Sequence, residues 1–88
     1  MPSFRKEIVT ILKDGIKEYG TRYDIQCKLV YHYWSLNCTK EECYESIRKW
    51  YLSHDHQSKD WRNNPDRVLK NLESAIECLY RNAPLCIP

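Results

Sequence analysis

Glycine is scarce in this sequence, with two in 88 residues, and only four prolines accompany them. So little turn material argues against a multi-stranded sheet, whose hairpins draw on Gly, Pro, Asn and Asp at short intervals. Long apolar runs are missing too. None exceeds three residues, as at Leu29-Val30-Tyr31, far below the roughly 18 that cross a bilayer. No charged-then-apolar leader opens the chain, so the expectation is a protein neither embedded in a membrane nor exported by a visible signal peptide. A surplus of one charge is also lacking, since 14 Lys and Arg face 12 Asp and Glu for a formal net charge of +2. Contact with a polyanion must then come from local clustering of cations, not from bulk charge.

What is present is 42% hydrophobic residues, 30% charged residues, three tryptophans and seven tyrosines. That suffices for one small core and leaves nothing for a second, so residues 1–88 read as a single helical domain. The chain opens directly on a helix and carries no stop signal past Pro84, the pattern of a fragment of a larger protein. Cys27, Cys38, Cys43, Cys78 and Cys86 are odd in number, and three of them fall at helical positions. They read as reduced, mostly buried thiols of a cytoplasmic protein.

The periodicity predicts an all-α, compact four-helix bundle with one long polar loop before the last helix. A first helix over about 4–19 follows Ser3 as N-cap, carries Phe4, Ile8, Ile11, Leu12, Ile16 and Tyr19 on one stripe and stops at Gly20. A second, over 23–36, is apolar on two faces, with Tyr23, Cys27, Val30, Tyr31 and Trp34 on one and Ile25, Leu29, Tyr33 and Leu36 on the other, as in a helix surrounded by others. Thr39-Lys40-Glu41-Glu42 has the capping-box pattern, so a third helix starts there and runs to 53 with Cys43, Ile47, Trp50 and Tyr51 inward. Residues 53–64 are polar and aperiodic except for Trp61. Asn64 then caps, and Pro65 opens, a fourth helix over 65–81 with Val68, Leu69, Leu72, Ala75, Ile76 and Leu79 as its stripe.

Sites for chemistry are few. Cys38, Cys43, His54 and His56 are zinc-type ligands, but their spacing fits no two-pair zinc pattern, and the better reading has the thiols packed and both histidines solvated in the loop. Nothing in the sequence pairs a thiol with an imidazole as a nucleophile needs. Glu41-Glu42 is explained by capping, and Asp55 and Asp60 have Lys59 and Arg62 nearby. Gly15 and Gly20 stand alone, so no phosphate-cradling loop exists. The expectation is a domain without catalytic residues, metal or cofactor. A helix-turn-helix over the second and third helices fails on charge, because Glu41, Glu42 and Glu45 would meet phosphates at the end that should attract them.

What remains is a gathering of cations and aromatic rings at the joints. Arg22 and Tyr23 open the second helix, Lys28 follows within it, and Lys59, Trp61, Arg62, Asn64, Arg67 and Lys70 surround the start of the fourth. Single-stranded nucleic acid is held by such a set, with cations along phosphates and rings under bases, and helix N-termini at Thr21 and Asn64 add amide donors. In the structural reading of the same residues, Trp61 instead lids the core and Tyr23 is core.

Gly20-Thr21-Arg22 opening a hydrophobic helix, Asn37-Cys38-Thr39-Lys40-Glu41-Glu42 opening a second that ends near Trp50, and the Pro65–Tyr80 helix after a polar loop together resemble the primase C-terminal helical domain. The resemblance covers residues 20 to 81; Arg22 matches the family's Gly-x-Arg, Tyr23 stands where Asn commonly follows, and the loop is longer and more polar than usual. It implies an accessory domain of replication proteins of plasmids, phages and other mobile elements, which helps bind single-stranded template DNA beside the catalytic domain of its parent. The alternative is a protein-interaction module that docks a partner subunit through Tyr31, Tyr33, Trp34 and Tyr51.

Overall fold

The structure, a computed structural model, describes residues 2–82, with side chains from Lys6 onward. It is all-helical among those residues: α1 Pro2–Asp14, α2 Arg22–Ser35, α3 Lys40–Ser53, α4 Lys59–Asn63 and α5 Pro65–Asn82. Of the four expected helices, α2, α3 and α5 fall where the periodicity predicts them, and α1 starts there but stops short. The fifth, α4, lies inside the segment expected to be loop, nucleated by Ser58, whose Oγ accepts from the Trp61 amide at 3.2 Å. Ala83, Pro84 and Cys86 lie outside the described residues, as does the side chain of Phe4. Ser3 falls within α1, not at its cap.

α1 is shorter than expected. It ends at Asp14 because Gly15 turns left-handed, with φ +79°, after its amide closes a last helical bond to the Ile11 carbonyl at 2.9 Å. Ile16 is still core, at 1% exposure, but loop contacts hold it there: its amide donates to His56 Nδ1 at 3.1 Å, and its carbonyl accepts from the Gln57 amide at 2.8 Å. Tyr19, expected on the helical stripe, is more than half exposed.

The other boundaries follow their local chemistry. Thr39 and Glu42 form the reciprocal capping box, Thr39 Oγ1 accepting from the Glu42 amide and Glu42 Oε1 from the Thr39 amide. Asn37 takes a left-handed φ of 61° to end α2. Asn64 Oδ1 accepts from the Arg67 amide and so caps α5 behind Pro65.

The core joins Ile8, Ile11 and Ile16 to Leu29 and Val30 of α2, Cys43, Ile47, Trp50 and Tyr51 of α3, and Val68, Leu72, Ile76 and Tyr80 of α5. Each fully buried aliphatic side chain of this kind contributes roughly 1.5–3 kcal/mol. α2 buries a single face, not two: Tyr23, Tyr31 and Leu36 stand at least half exposed. The thiols divide as well. Cys43 is buried, Cys27 and Cys38 are half-buried, and Cys78 is exposed, because α5 turns that position away from α3. No helix among the described residues is long and apolar enough to cross a membrane.

Candidate nucleic-acid interface

The joint where α2 begins, α4 lies and α5 begins rests on a buried polar network. Gln26, with no exposed surface, sits in the middle of α2 between core residues. Its Oε1 accepts from Tyr51 Oη at 2.6 Å and from Arg22 Nη1 at 2.8 Å, and its Nε2 donates to Asn71 Oδ1 at 3.0 Å. Arg22 Nη1 also reaches Tyr51 Oη at 3.3 Å. A buried amide satisfied on both ends in this way locks α2, α3 and α5 together. Burial pushes the Tyr51 hydroxyl up to about 12, so it stays a proton donor across the ordinary pH range.

Above this network open two clefts. One, of about 430 Å3, is lined by Arg22, Asp60, Asn63, Asn64, Arg67 and Asn71 over Val68. The other, of similar volume, is lined by Tyr19, Gly20, Arg22, Tyr23, Ser58, Lys59 and Asp60. They share Arg22 and Asp60, so together they form one polar strip along α4. Lys59, Asn64 and Arg67 are exposed on it, and Tyr19 and Tyr23 present rings at its far end, 52% and 53% exposed.

The expected site residues separate into two groups. Arg22, Tyr23, Lys59, Asn64 and Arg67 come together at the strip. Lys28 and Trp61 do not, and Arg62 lines neither cleft but touches the strip through Tyr19. Lys28 pairs with Glu7 of α1 and faces a different groove. Trp61 is half-buried and stacks on Tyr51, centroids 4.8 Å apart and 20° between planes, so its ring closes the core edge as a lid. Arg62 lies over the Tyr19 ring at 5.8 Å, donates to Tyr19 Oη at 3.0 Å and meets Asp55 at 3.5 Å. Tyr23, read alternatively as core, is outside it.

Sequence reasoning missed Tyr19, Gln26, Asn63 and Asn71. Gln26 alone carried a signal, an amide wedged between the two apolar faces of α2. It also misplaced His56, which is 1% exposed and wedged against Trp50, Tyr51 and Trp61. Since the Ile16 amide donates to Nδ1, the ring proton sits on Nε2, which faces the Trp50 carbonyl at 3.3 Å. Burial lowers the His56 pKa from its ordinary value. His54 is half-buried, with Nε2 3.0 Å from the Lys13 carbonyl and Nδ1 3.1 Å from both the Trp50 carbonyl and the Ser53 hydroxyl.

The zinc-type quartet does not assemble. Cys38 and Cys43 flank the start of α3, and His54 and His56 follow its end, about 20 Å away at 1.5 Å per residue. Burial pushes the Cys43 thiol up to about 11 and raises Cys38, which suits packing and not nucleophilic attack. The carboxylates of Asp55 and Asp60 are held by different arginines, Arg62 and Arg22. Of the four aromatic residues named for partner docking, Tyr51 is wholly buried, Tyr33 and Trp34 pack half-buried on the core, and Tyr31 stands half exposed.

The described residues make an all-helical fold with a polar, amide-rich and cation-bearing strip at one joint. Compared with known proteins, the chain matches no family model, no curated protein and no solved structure.

Proposed function

We propose that this chain is a non-catalytic accessory domain of a DNA replication primase, built as a bundle of four long helices with α4 as its clasp, and that it helps hold single-stranded template DNA. The observation that carries the reading is the strip itself. The Tyr19 and Tyr23 rings and the exposed cations Lys59 and Arg67 border one continuous pair of clefts lined by Asn63, Asn64 and Asn71. Rings stack under bases without regard to sequence, cations follow the phosphates, and amides donate to sugar or base edges. The resemblance of residues 20 to 81 to the primase C-terminal helical domain supports the same reading and supplies the catalytic domain of the parent as the neighbour. Trp61, as a core lid, has no part in the stacking; Tyr23 and Tyr19 take that role.

Titration of a fluorescently labelled oligothymidine at two ionic strengths tests this. Binding is expected at low salt, weakening with a log–log slope of about −0.7 for each phosphate contacted. Tyr23→Ala is expected to remove roughly 1–3 kcal/mol of binding with little loss of stability. Absence of binding at low salt, or binding indifferent to salt, overturns the proposal.

A further inference from the structure

One ion pair in the strip joins unequal partners. The Arg22 side chain is 11% exposed and fixed from below, its Nη1 bonded to Gln26 and Tyr51. Its remaining edge lines both clefts and meets Asp60, whose side chain is 72% exposed, with Nε to Oδ2 at 3.5 Å. So long a pair with so exposed a carboxylate contributes little to stability. A guanidinium held rigid by buried partners, by contrast, is preorganised for an oxyanion, and Asp60 is the oxyanion now on it. Around it stand residues with amide donors suited to phosphate or sugar oxygens: Asn63, Asn64 and Asn71, the last with its Oδ1 committed to Gln26.

We propose that Arg22 is a phosphate seat of the strip and that Asp60 closes it, so that a backbone phosphate of single-stranded DNA binds by displacing this carboxylate. The proposal rests on the nucleic-acid reading above and names its central contact. The exchange is anion for anion. The Asp60 side chain rotates into solvent, which its exposure permits, and α4 keeps the Ser58 cap and its closing bond from the Asn64 amide to the Asp60 carbonyl.

The test compares oligothymidine binding by the wild-type chain, Asp60→Asn and Asp66→Asn. The last makes the same charge change in the first turn of α5, at a residue that lines neither of the clefts at Arg22. Asp60→Asn is expected to bind about two- to fivefold tighter, the span that an exposed pair's competition allows, with the salt slope unchanged, because the same phosphate sits on Arg22 in both chains. Asp66→Asn is expected to stay closer to the wild type. If the wild type binds and Asp60→Asn matches Asp66→Asn in affinity, or its slope steepens by about 0.7, the share of a phosphate contact that the wild type lacks, the displacement is refuted and the nucleic-acid reading survives. If neither wild type nor a folded Asp60→Asn binds at low salt, both fall.

Discussion

The two glycines offer a matched pair of perturbations. Both adopt left-handed backbone, φ +79° at Gly15 and +84° at Gly20, so alanine at either site meets the same conformational cost of about 1–2 kcal/mol. A restricted unfolded chain returns about 0.4–1 kcal/mol in both cases. Only their surroundings differ. A Cβ on Gly20 meets nothing within 4 Å, whereas on Gly15 it lies 3.2 Å from His54 Cβ and 3.2 Å from His56 Nδ1. Neither neighbour gives way easily, since His54 Cβ is tied to the backbone and the His56 ring is held by the Ile16 amide, the Trp50 carbonyl and the Trp50 ring at 4.3 Å. Crowding of a packed site costs a further 1–3 kcal/mol or so. Gly15→Ala is therefore expected to be less stable than Gly20→Ala by about 1–3 kcal/mol in urea unfolding followed by tryptophan fluorescence. For a chain of this length the melting temperatures should differ by about 4 °C or more. Equal loss in the two variants would refute the packing of the α1 exit against the histidines.

Other expectations follow from the same region. His56 has a folded pKa below its unfolded value near 6.5, so the unfolded chain takes up the proton first. Its share of stability is complete above that unfolded value and drains as pH falls toward the folded one. Urea midpoints of the wild type are expected to fall between pH 7 and pH 5 more steeply than those of His56→Gln, and parallel curves would contradict this; His54 and Asp55, whose charges act on the His56 ring, are present in both chains. Trp61→Ala is expected to cost about 2–3 kcal/mol, less than the roughly 3–5 of a fully buried ring, with oligothymidine affinity of the folded variant kept within about twofold. An unchanged melting temperature together with lost binding would restore Trp61 to the strip.

Local chemistry made much of this fold legible. The start of α3 could be read from Thr39 and Glu42, that of α5 from Asn64 and Pro65, and the inward faces of both from their spacing, because caps and periodicity act within a turn or two of chain. Ile16 shows where such reasoning ends. It lies in helical register with Ile8 and Leu12, so spacing assigns it to a helix, while its burial depends on His56, 40 residues away. His56 and Trp61 had no periodic signal at all, being single large residues in polar surroundings whose orientation is set by the Ile16 amide and an edge contact with Tyr51 in the one case and by stacking on Tyr51 in the other. The candidate site was half legible for the same reason. Cations and rings near the helix starts were visible, but which of them are tied down by Glu7, Asp55 or Tyr51 is decided by contacts between distant segments.

Tyr51 belongs to two structures at once. Its ring backs Trp61 and His56, and its hydroxyl underpins the Gln26–Arg22 floor of the strip. The floor of the strip and the core thus share one side chain, and substitutions that reshape the floor alter the melting behaviour of the whole chain in the same stroke. Substitutions at the rim, at Lys59, Arg67, Tyr19 and Tyr23, can instead alter the surface while the interior stays as it is.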